Sequence, residues 1–179
     1  MTALIRIGLI YGSTRTGRFC DRVAQWAGQR AAKAGFEVVA IDPAKLTDPA
    51  ELERRVGNCD AFVVVTPEYN HGYPAPLKAL IDSVGAEWQA KPVAFVSYGG
   101  VSGGLRAVEQ LRLVFAELHA VTIRDSVSFA GAWEQFDPSG KLLQPERAER
   151  SMATMLARLR WWAVALSTAR AQFPYELPA

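Results

Sequence analysis

Residues 61–74 read Ala61-Phe62-Val63-Val64-Val65-Thr66-Pro67-Glu68-Tyr69-Asn70-His71-Gly72-Tyr73-Pro74. The run from Ala61 to Val65 is continuously apolar, β-branched and aromatic, the pattern of a strand covered on both faces by helices in a parallel sheet. Pro67 lacks an amide donor and biases Thr66 towards extended geometry, so the chain is expected to leave the sheet there, at its carboxyl edge. Gly72 permits a tight turn, and Pro74 suits the first position of a helix, where the missing N–H costs nothing. Leu77, Leu80, Ile81 and Val84 follow at i, i+3, i+4 and i+7, the apolar stripe of that helix. Between the two prolines lie Glu68, Tyr69, Asn70 and His71, polar or aromatic groups whose backbone amides belong to neither element. They are placed to meet a flat, hydrogen-bonding ligand.

Working outward, Leu4 to Tyr11 reads as a first covered strand, and Gly12 to Arg18 as a loop. A helix follows, with Val23, Ala27, Ala31 and Ala34 towards the core and Gly35 at its end. Phe36 to Ile41 is a second strand, Asp42-Pro43 opens a polar stretch with a short helix near Ala50 to Val56, and Pro92 to Tyr98 is a fourth strand. A helix with Leu111, Val114, Phe115 and Leu118 on one face leads to a fifth strand, Val121 to Val127. Ala130 to Gly140, carrying Trp133, Phe136 and Pro138, has no regular pattern. Pro145 starts a last helix with Met152, Met155, Leu156, Leu159, Ala163 and Leu166 on one stripe, and a proline-rich tail runs from Phe173 to Pro178. Strands alternating with helices imply right-handed crossovers and a doubly wound α/β fold. The common five-stranded order is 2-1-3-4-5, parallel, with helices on both faces and the ligand crevice between the first and third strands. The Gly12 and Pro67 loops are thereby expected to be neighbours.

A chain of 179 residues fits one domain over positions 1–179, burying roughly 70% of its unfolded surface. A net charge of +2 from 20 basic and 18 acidic residues, without a basic stripe, argues against nucleic acid. No apolar run approaches the ~20 residues that span a bilayer, and no leader-like cleavage region precedes Gly12, so a cytoplasmic protein off the membrane is expected. Cys20 and Cys59, the two cysteines, stand far apart in no C-x-x-C arrangement, so neither a disulfide framework nor a metal site is expected.

The first loop, Gly12-Ser13-Thr14-Arg15-Thr16-Gly17-Arg18, runs into a helix whose free amides and dipole favour an anion. Arg15 and Arg18 add charge, and Ser13, Thr14 and Thr16 add donors, a set suited to a phosphate monoester. Gly12-x-x-x-x-Gly17-Arg18-Phe19 has the glycine spacing of a nucleotide-binding P-loop, but Arg18 replaces the lysine and Phe19 cannot hold magnesium. The G-x-G-x-x-G fingerprint of dinucleotide sites is absent, which favours a mononucleotide. The third loop, Gly99-Gly100-Val101-Ser102-Gly103-Gly104, has four glycines that permit close approach to a planar group, and Ser102 offers a donor or a helix cap.

Taken together, Gly12-Ser13-Thr14-Arg15, Pro67-Glu68-Tyr69-Asn70 with Pro74-Ala75-Pro76-Leu77-Lys78 and Ile81-Asp82, and Ser97-Tyr98-Gly99-Gly100-Val101-Ser102-Gly103-Gly104 resemble the NAD(P)H-dependent FMN reductases of flavodoxin-like fold. The resemblance runs from about Leu4 to Val127. It implies FMN with its phosphate at Ser13, Thr14, Arg15 and the following turn of Arg18 and Phe19. The isoalloxazine edge then meets Pro67, Glu68, Tyr69 and Asn70, and Tyr98, Gly99, Gly100 and Ser102 contact the ring or ribityl chain. Many members have Ser and Asn where this chain has Arg18, Phe19 and Cys20, and Ala79 replaces a common Asn. The family implies NADPH or NADH as co-substrate, a small-molecule electron acceptor and a homodimer or homotetramer. Hydride chemistry belongs to the cofactor, so no conventional catalytic residue is expected. A flavodoxin-type electron carrier is the alternative, although such carriers are usually strongly acidic. Arg106 and Arg112 read as solvated helix arginines, with a nicotinamide nucleotide phosphate as the alternative partner; His71 reads as a loop hydrogen-bonder, with a substrate or a flavin carbonyl as the alternative; and His119 reads as a surface residue late in a helix.

Overall fold

The structure, a computed structural model, describes residues 4–175. Five parallel strands, β1 (Arg6–Tyr11), β2 (Glu37–Ile41), β3 (Ala61–Pro67), β4 (Pro92–Gly99) and β5 (Val121–Ala130), form one sheet in the order β2-β1-β3-β4-β5. The expected flavodoxin-like architecture is therefore the one observed. Helices α1 (Cys20–Lys33) and α6 (Glu146–Gln172) cover one face, and α2 (Pro49–Gly57), α3 (Ala75–Asp82) and α4 (Leu105–Glu117) the other. Each core has its own half of the alternating strand residues. Val63 and Val65 face α1 and α6, whereas Phe62 and Val64 face α2 to α4. This is why β3 reads as an unbroken apolar run: all seven of its residues are buried.

Several boundaries differ from expectation for local reasons. Pro74 is the N-cap of α3 rather than its first residue, and Pro76 lies inside the first turn. Val84 is buried but beyond the helix, in the segment that turns to bury Trp88. Ala34 is exposed, because α1 ends there and Gly35 continues in the left-handed region at φ 79°. β1 starts at Arg6, two residues later than expected, and β5 runs three residues further, to Ala130. The tail residues Glu176 to Pro178 lie outside the described residues.

The segment after β5, which the sequence left without a pattern, folds back on the sheet. Gly131, at φ 62°, turns the chain into the four-residue α5 (Ala132–Gln135), and Phe136 bridges to Leu142. The Phe136 ring lies 5.1 Å from Phe129 and 5.6 Å from Phe19, closing the α1/α6 core at the carboxyl end of the strands. Trp133 stays 61% exposed at that end.

Gly12 is where the fold brings its loops together most tightly. Its N–H donates to Val65 O at 2.8 Å, and a Cβ there would stand 2.7 Å from that oxygen and 3.0 Å from Thr66 Cα. Both obstacles are backbone, so Gly12→Ala must splay β1 from β3. A loss of about 1–3 kcal/mol is expected, read from the shift in a urea or thermal transition.

Candidate functional site

The turn after β1 and the turn after β3 meet at the carboxyl edge of the sheet, at the point where strand order reverses. The Ser13 and Tyr69 hydroxyls are 2.7 Å apart, and the Arg15 guanidinium lies 3.6 Å over the Tyr69 ring. Ser13 is fully buried, while Arg15, Thr16 and Gly17 are exposed. Among the described residues no carboxylate pairs with Arg15. The turn then enters α1, whose N-cap Phe19 offers no side-chain capping bond, so the first helical amides are left to an outside acceptor.

Arg18 does not point where the sequence suggested. Its guanidinium forms a fork on Asp42, with Nη1 to Oδ1 at 2.8 Å and Nη2 to Oδ2 at 2.5 Å, and Nε donates to Asp21 at 2.8 Å. Nη1 also donates to the Ser13 carbonyl. The Arg18 and Asp42 side chains are 6% and 8% exposed. A carboxylate so enclosed needs a counter-ion, and that demand claims the charge expected to meet a ligand. Burial alone would raise the Asp42 carboxyl, but the Arg18 bonds and the Ala44 amide outweigh it and hold the group below its ordinary value. The bond to Ser13 also has a use. Carbonyl and amide of a trans peptide point opposite ways, so pinning the Ser13 oxygen towards Arg18 aims the Thr14 N–H away from it.

A cleft of about 480 Å³ opens between the loops. Of the residues anticipated for the cofactor, Arg15, Arg18, Phe19, Pro67, Glu68, Tyr69, Tyr98 and Gly99 line it. Ser13 is buried against Tyr69 and Thr14 is half-buried beside it, while Asn70, Gly100 and Ser102 fall outside the lining. Thr16, named as a donor for the anion, lines it as well, and Gly17, Arg22 and Trp133 line it without having been singled out for it. Thr16 and Gly17 belong to the loop already noted. Arg22 follows Arg18 by one helical turn, a spacing that could have flagged it, whereas Trp133 had no local signal. The Phe19 ring sits 5.7 Å from Tyr98 and 6.2 Å from Trp133, giving the cleft an aromatic wall. A larger hollow of about 830 Å³ lies further along, between Ser102, β5 and the start of α6. It lacks the anion-holding turn, and the smaller cleft is the better match to a charged, flat ligand.

The glycine loop serves its own chain first. Gly103 and Gly104 have φ of 60° and 86°, and a Cβ on either would strike Ser128 Oγ at 2.3 Å or Ser97 Cβ at 2.7 Å. Those two serines donate to Gly103 O at 2.9 and 2.8 Å. Half of the glycines anticipated for a ligand are thus demanded by packing against β4 and β5, while Gly100 faces open space.

Glu68 is half-buried as a residue, with its side chain only 5% exposed. Its carboxylate accepts from the Ser102 hydroxyl at 2.6 Å, the Arg106 amide at 3.2 Å and the Arg106 guanidinium at 2.5 Å. Burial would raise the group, but Ser102 and Arg106 outweigh it and hold it below the ordinary carboxylate range. Arg106 is exposed, as expected, but it is also engaged, and its Nη1 meets His71 Nε2 at 2.9 Å. Arg112 is likewise engaged, donating to the Ile123 and Arg124 carbonyls at 2.8 and 3.2 Å. His119 lies past the end of α4 with φ 57°, its ring 2.9 Å from the Tyr175 hydroxyl.

Burial pushes the Cys20 thiol up to about 11 and raises the Tyr98 hydroxyl further. Both stay protonated at neutral pH, which leaves Cys20 without a nucleophile's character. Among the described residues no cluster of metal-ligating side chains occurs. The donors suit FMN on three counts: an exposed guanidinium without a carboxylate beside free helix-start amides, a cleft with an aromatic wall, and a proline-stiffened edge. Arg15 and the following turn would hold the phosphate, with Ser13 buried behind them against Tyr69, and Pro67 to Tyr69 with Tyr98 and Gly99 would border the ring.

Comparison with known proteins points to the same cofactor. The family model described as NADPH-dependent FMN reductase matches residues 5–134. An NAD(P)H-dependent FMN reductase of Schizosaccharomyces pombe is 34% identical over 120 residues, 55% of this chain and 60% of that protein. An NAD(P)H:quinone oxidoreductase of Solanum tuberosum is 30% identical over 179 residues, covering 86% of this chain and 91% of its own length. Among solved structures, a flavoenzyme NAD(P)H:(acceptor) oxidoreductase of Paracoccus denitrificans superimposes with a TM-score of 0.72 at 21% identity, over 89% of this chain and 97% of that one.

Proposed function

The chain belongs to the NADPH-dependent FMN reductase family, and we propose that it carries hydride from NADPH or NADH, through FMN in the 480 Å³ cleft, to a small acceptor such as free flavin or a quinone. One observation carries the reading: Arg15 and the start of α1 stand directly beside the Pro67 to Tyr69 edge, so anion-holding and ring-bordering groups share one cleft. The quinone activity in the name of the potato relative supports the choice of acceptor. Bound FMN supplies the hydride chemistry. The protein supplies binding and alignment: Arg15 and the turn amides hold the anion, Phe19 and Tyr98 keep water from the inner wall, and the Pro67 edge fixes the ring's approach.

The reading extends to a cytoplasmic homodimer or homotetramer. Cys20 and Cys59 are free thiols rather than a disulfide, and Leu113 and Trp161 leave apolar surface 75% and 64% exposed on α4 and α6. The test is direct. Purified protein given FMN should retain a bound-flavin absorption spectrum and oxidise NADPH or NADH when a quinone is added. Bound flavin that neither nicotinamide reduces would make the protein an electron carrier, and absence of flavin affinity would overturn the reading altogether.

A further inference from the structure

We infer that Glu68 is a positioning residue: it makes no bond to the flavin, but clasps the ring-bordering loop to the glycine loop and α4 through Ser102 and Arg106, and so fixes where the loop stands. The inference rests on the FMN reading above. A carboxylate has about four acceptor sites, and here the Ser102 hydroxyl, the Arg106 amide, Nε and Nη2 meet them. Nothing remains on Glu68 for a ligand, and the Ser102 proton is spent as well.

The clasp also supplies what α4 lacks locally. Its N-cap is Gly104, which has no side chain and makes no capping bond. Glu68, from a loop 38 residues earlier, accepts the Arg106 amide in the first turn and brings negative charge to the helix's positive end. The same face of α4 reaches back. Arg106 Nη1 meets His71 Nε2 at 2.9 Å, and Gln110, one turn on, donates to the His71 carbonyl at 2.9 Å. Asn70 and His71 both stand in the left-handed region, at φ 51° and 70°. The tight turn closed by the paired Tyr69 and Gly72 backbone bonds, at 2.9 and 3.1 Å, requires that conformation at both positions, and the bonds from α4 to His71 hold the turn in place. The loop is thereby set before any ligand arrives, and preorganisation of this kind removes an ordering cost from binding.

The experiment is a double-mutant cycle with Glu68→Gln and Arg106→Met, read by FMN titration and by the rate at which saturating NADPH reduces the bound flavin. If Glu68 acts through Arg106, each single substitution weakens FMN roughly tenfold and slows reduction roughly tenfold, and the double variant is no worse than the poorer single. Losses that multiply to roughly a hundredfold would mean that Glu68 meets the ligand itself, and would overturn the inference. So would a lowered melting temperature with unchanged FMN affinity and reduction rate, the mark of a purely structural cap. Should Glu68→Gln fail to fold, Ser102→Ala with Arg106→Lys runs the same cycle from the other arm. Failure of the wild-type protein to bind FMN sinks the functional reading, whereas multiplicative losses in variants of a flavin-binding wild type sink the clasp alone.

Discussion

Arg15→Ala is expected to weaken FMN binding by roughly 10- to 150-fold, the worth of one charge-assisted hydrogen bond of about 1.5–3 kcal/mol to a phosphate. Arg15 is the arginine of the turn whose charge is free for this task, because Arg18 is consumed by Asp42 and Asp21. Its present contact, the face of Tyr69, is worth only about 0.5–1 kcal/mol at an exposed site, so a phosphate outbids it easily. Arg124→Ala, in an exposed residue of β5 on the wall of a different hollow, should leave FMN affinity unchanged. Fluorescence titration of the two variants beside the wild type checks the difference, and equal affinities would discard the phosphate assignment.

Asp42→Ala is expected to cost about 3 kcal/mol of stability, the lower end for a broken buried pair, because it removes both bonds of the fork and leaves the enclosed Arg18 guanidinium only the exposed Asp21 and the Ser13 carbonyl. Both side chains are less than a tenth exposed, so solvent screening does little to soften the loss. Adding Arg18→Met to Asp42→Ala should recover much of it, since an apolar pair of similar volume carries no stranded charge. Urea unfolding of the single and double variants reads both effects. The pair also predicts acid sensitivity of a definite sign. The Asp42 carboxyl is held below its ordinary value of 3.8, so its contribution is complete above that value and is lost as the pH falls through the lower folded one. The wild type should therefore lose more stability below pH 4 than the double variant does.

What was legible in the sequence was what is written locally. The Ala61 to Val65 run, the Leu77-Leu80-Ile81 stripe and the two punctuating prolines each carry their meaning within a dozen residues, and the strand order followed from the alternation of strands and helices. The meeting of the Gly12 and Pro67 turns followed from that order in turn. What was not legible depends on partners far apart in the chain. Arg18 beside Arg15 looks like a second phosphate ligand until Asp42, 24 residues on, is seen to claim it. Glu68 and Ser102 look like two ligand contacts and are one hydrogen bond. Gly103 and Gly104 look like space for a ring and are space for Ser128 and Ser97. Trp133 reaches the cleft only because Gly131 turns the chain back over Phe19. In each case a residue type suited to binding a ligand is equally suited to binding its own protein, and only the fold decides between them.

The most direct measurement is a crystal structure of the protein with FMN bound. The account predicts the phosphate within hydrogen-bonding distance of Arg15 and the turn amides before α1, with the ring bordered by Pro67 to Tyr69 and by Tyr98 and Gly99. A flavin seated in the larger hollow beside Ser102 and β5, or a phosphate turned away from Arg15, would contradict it.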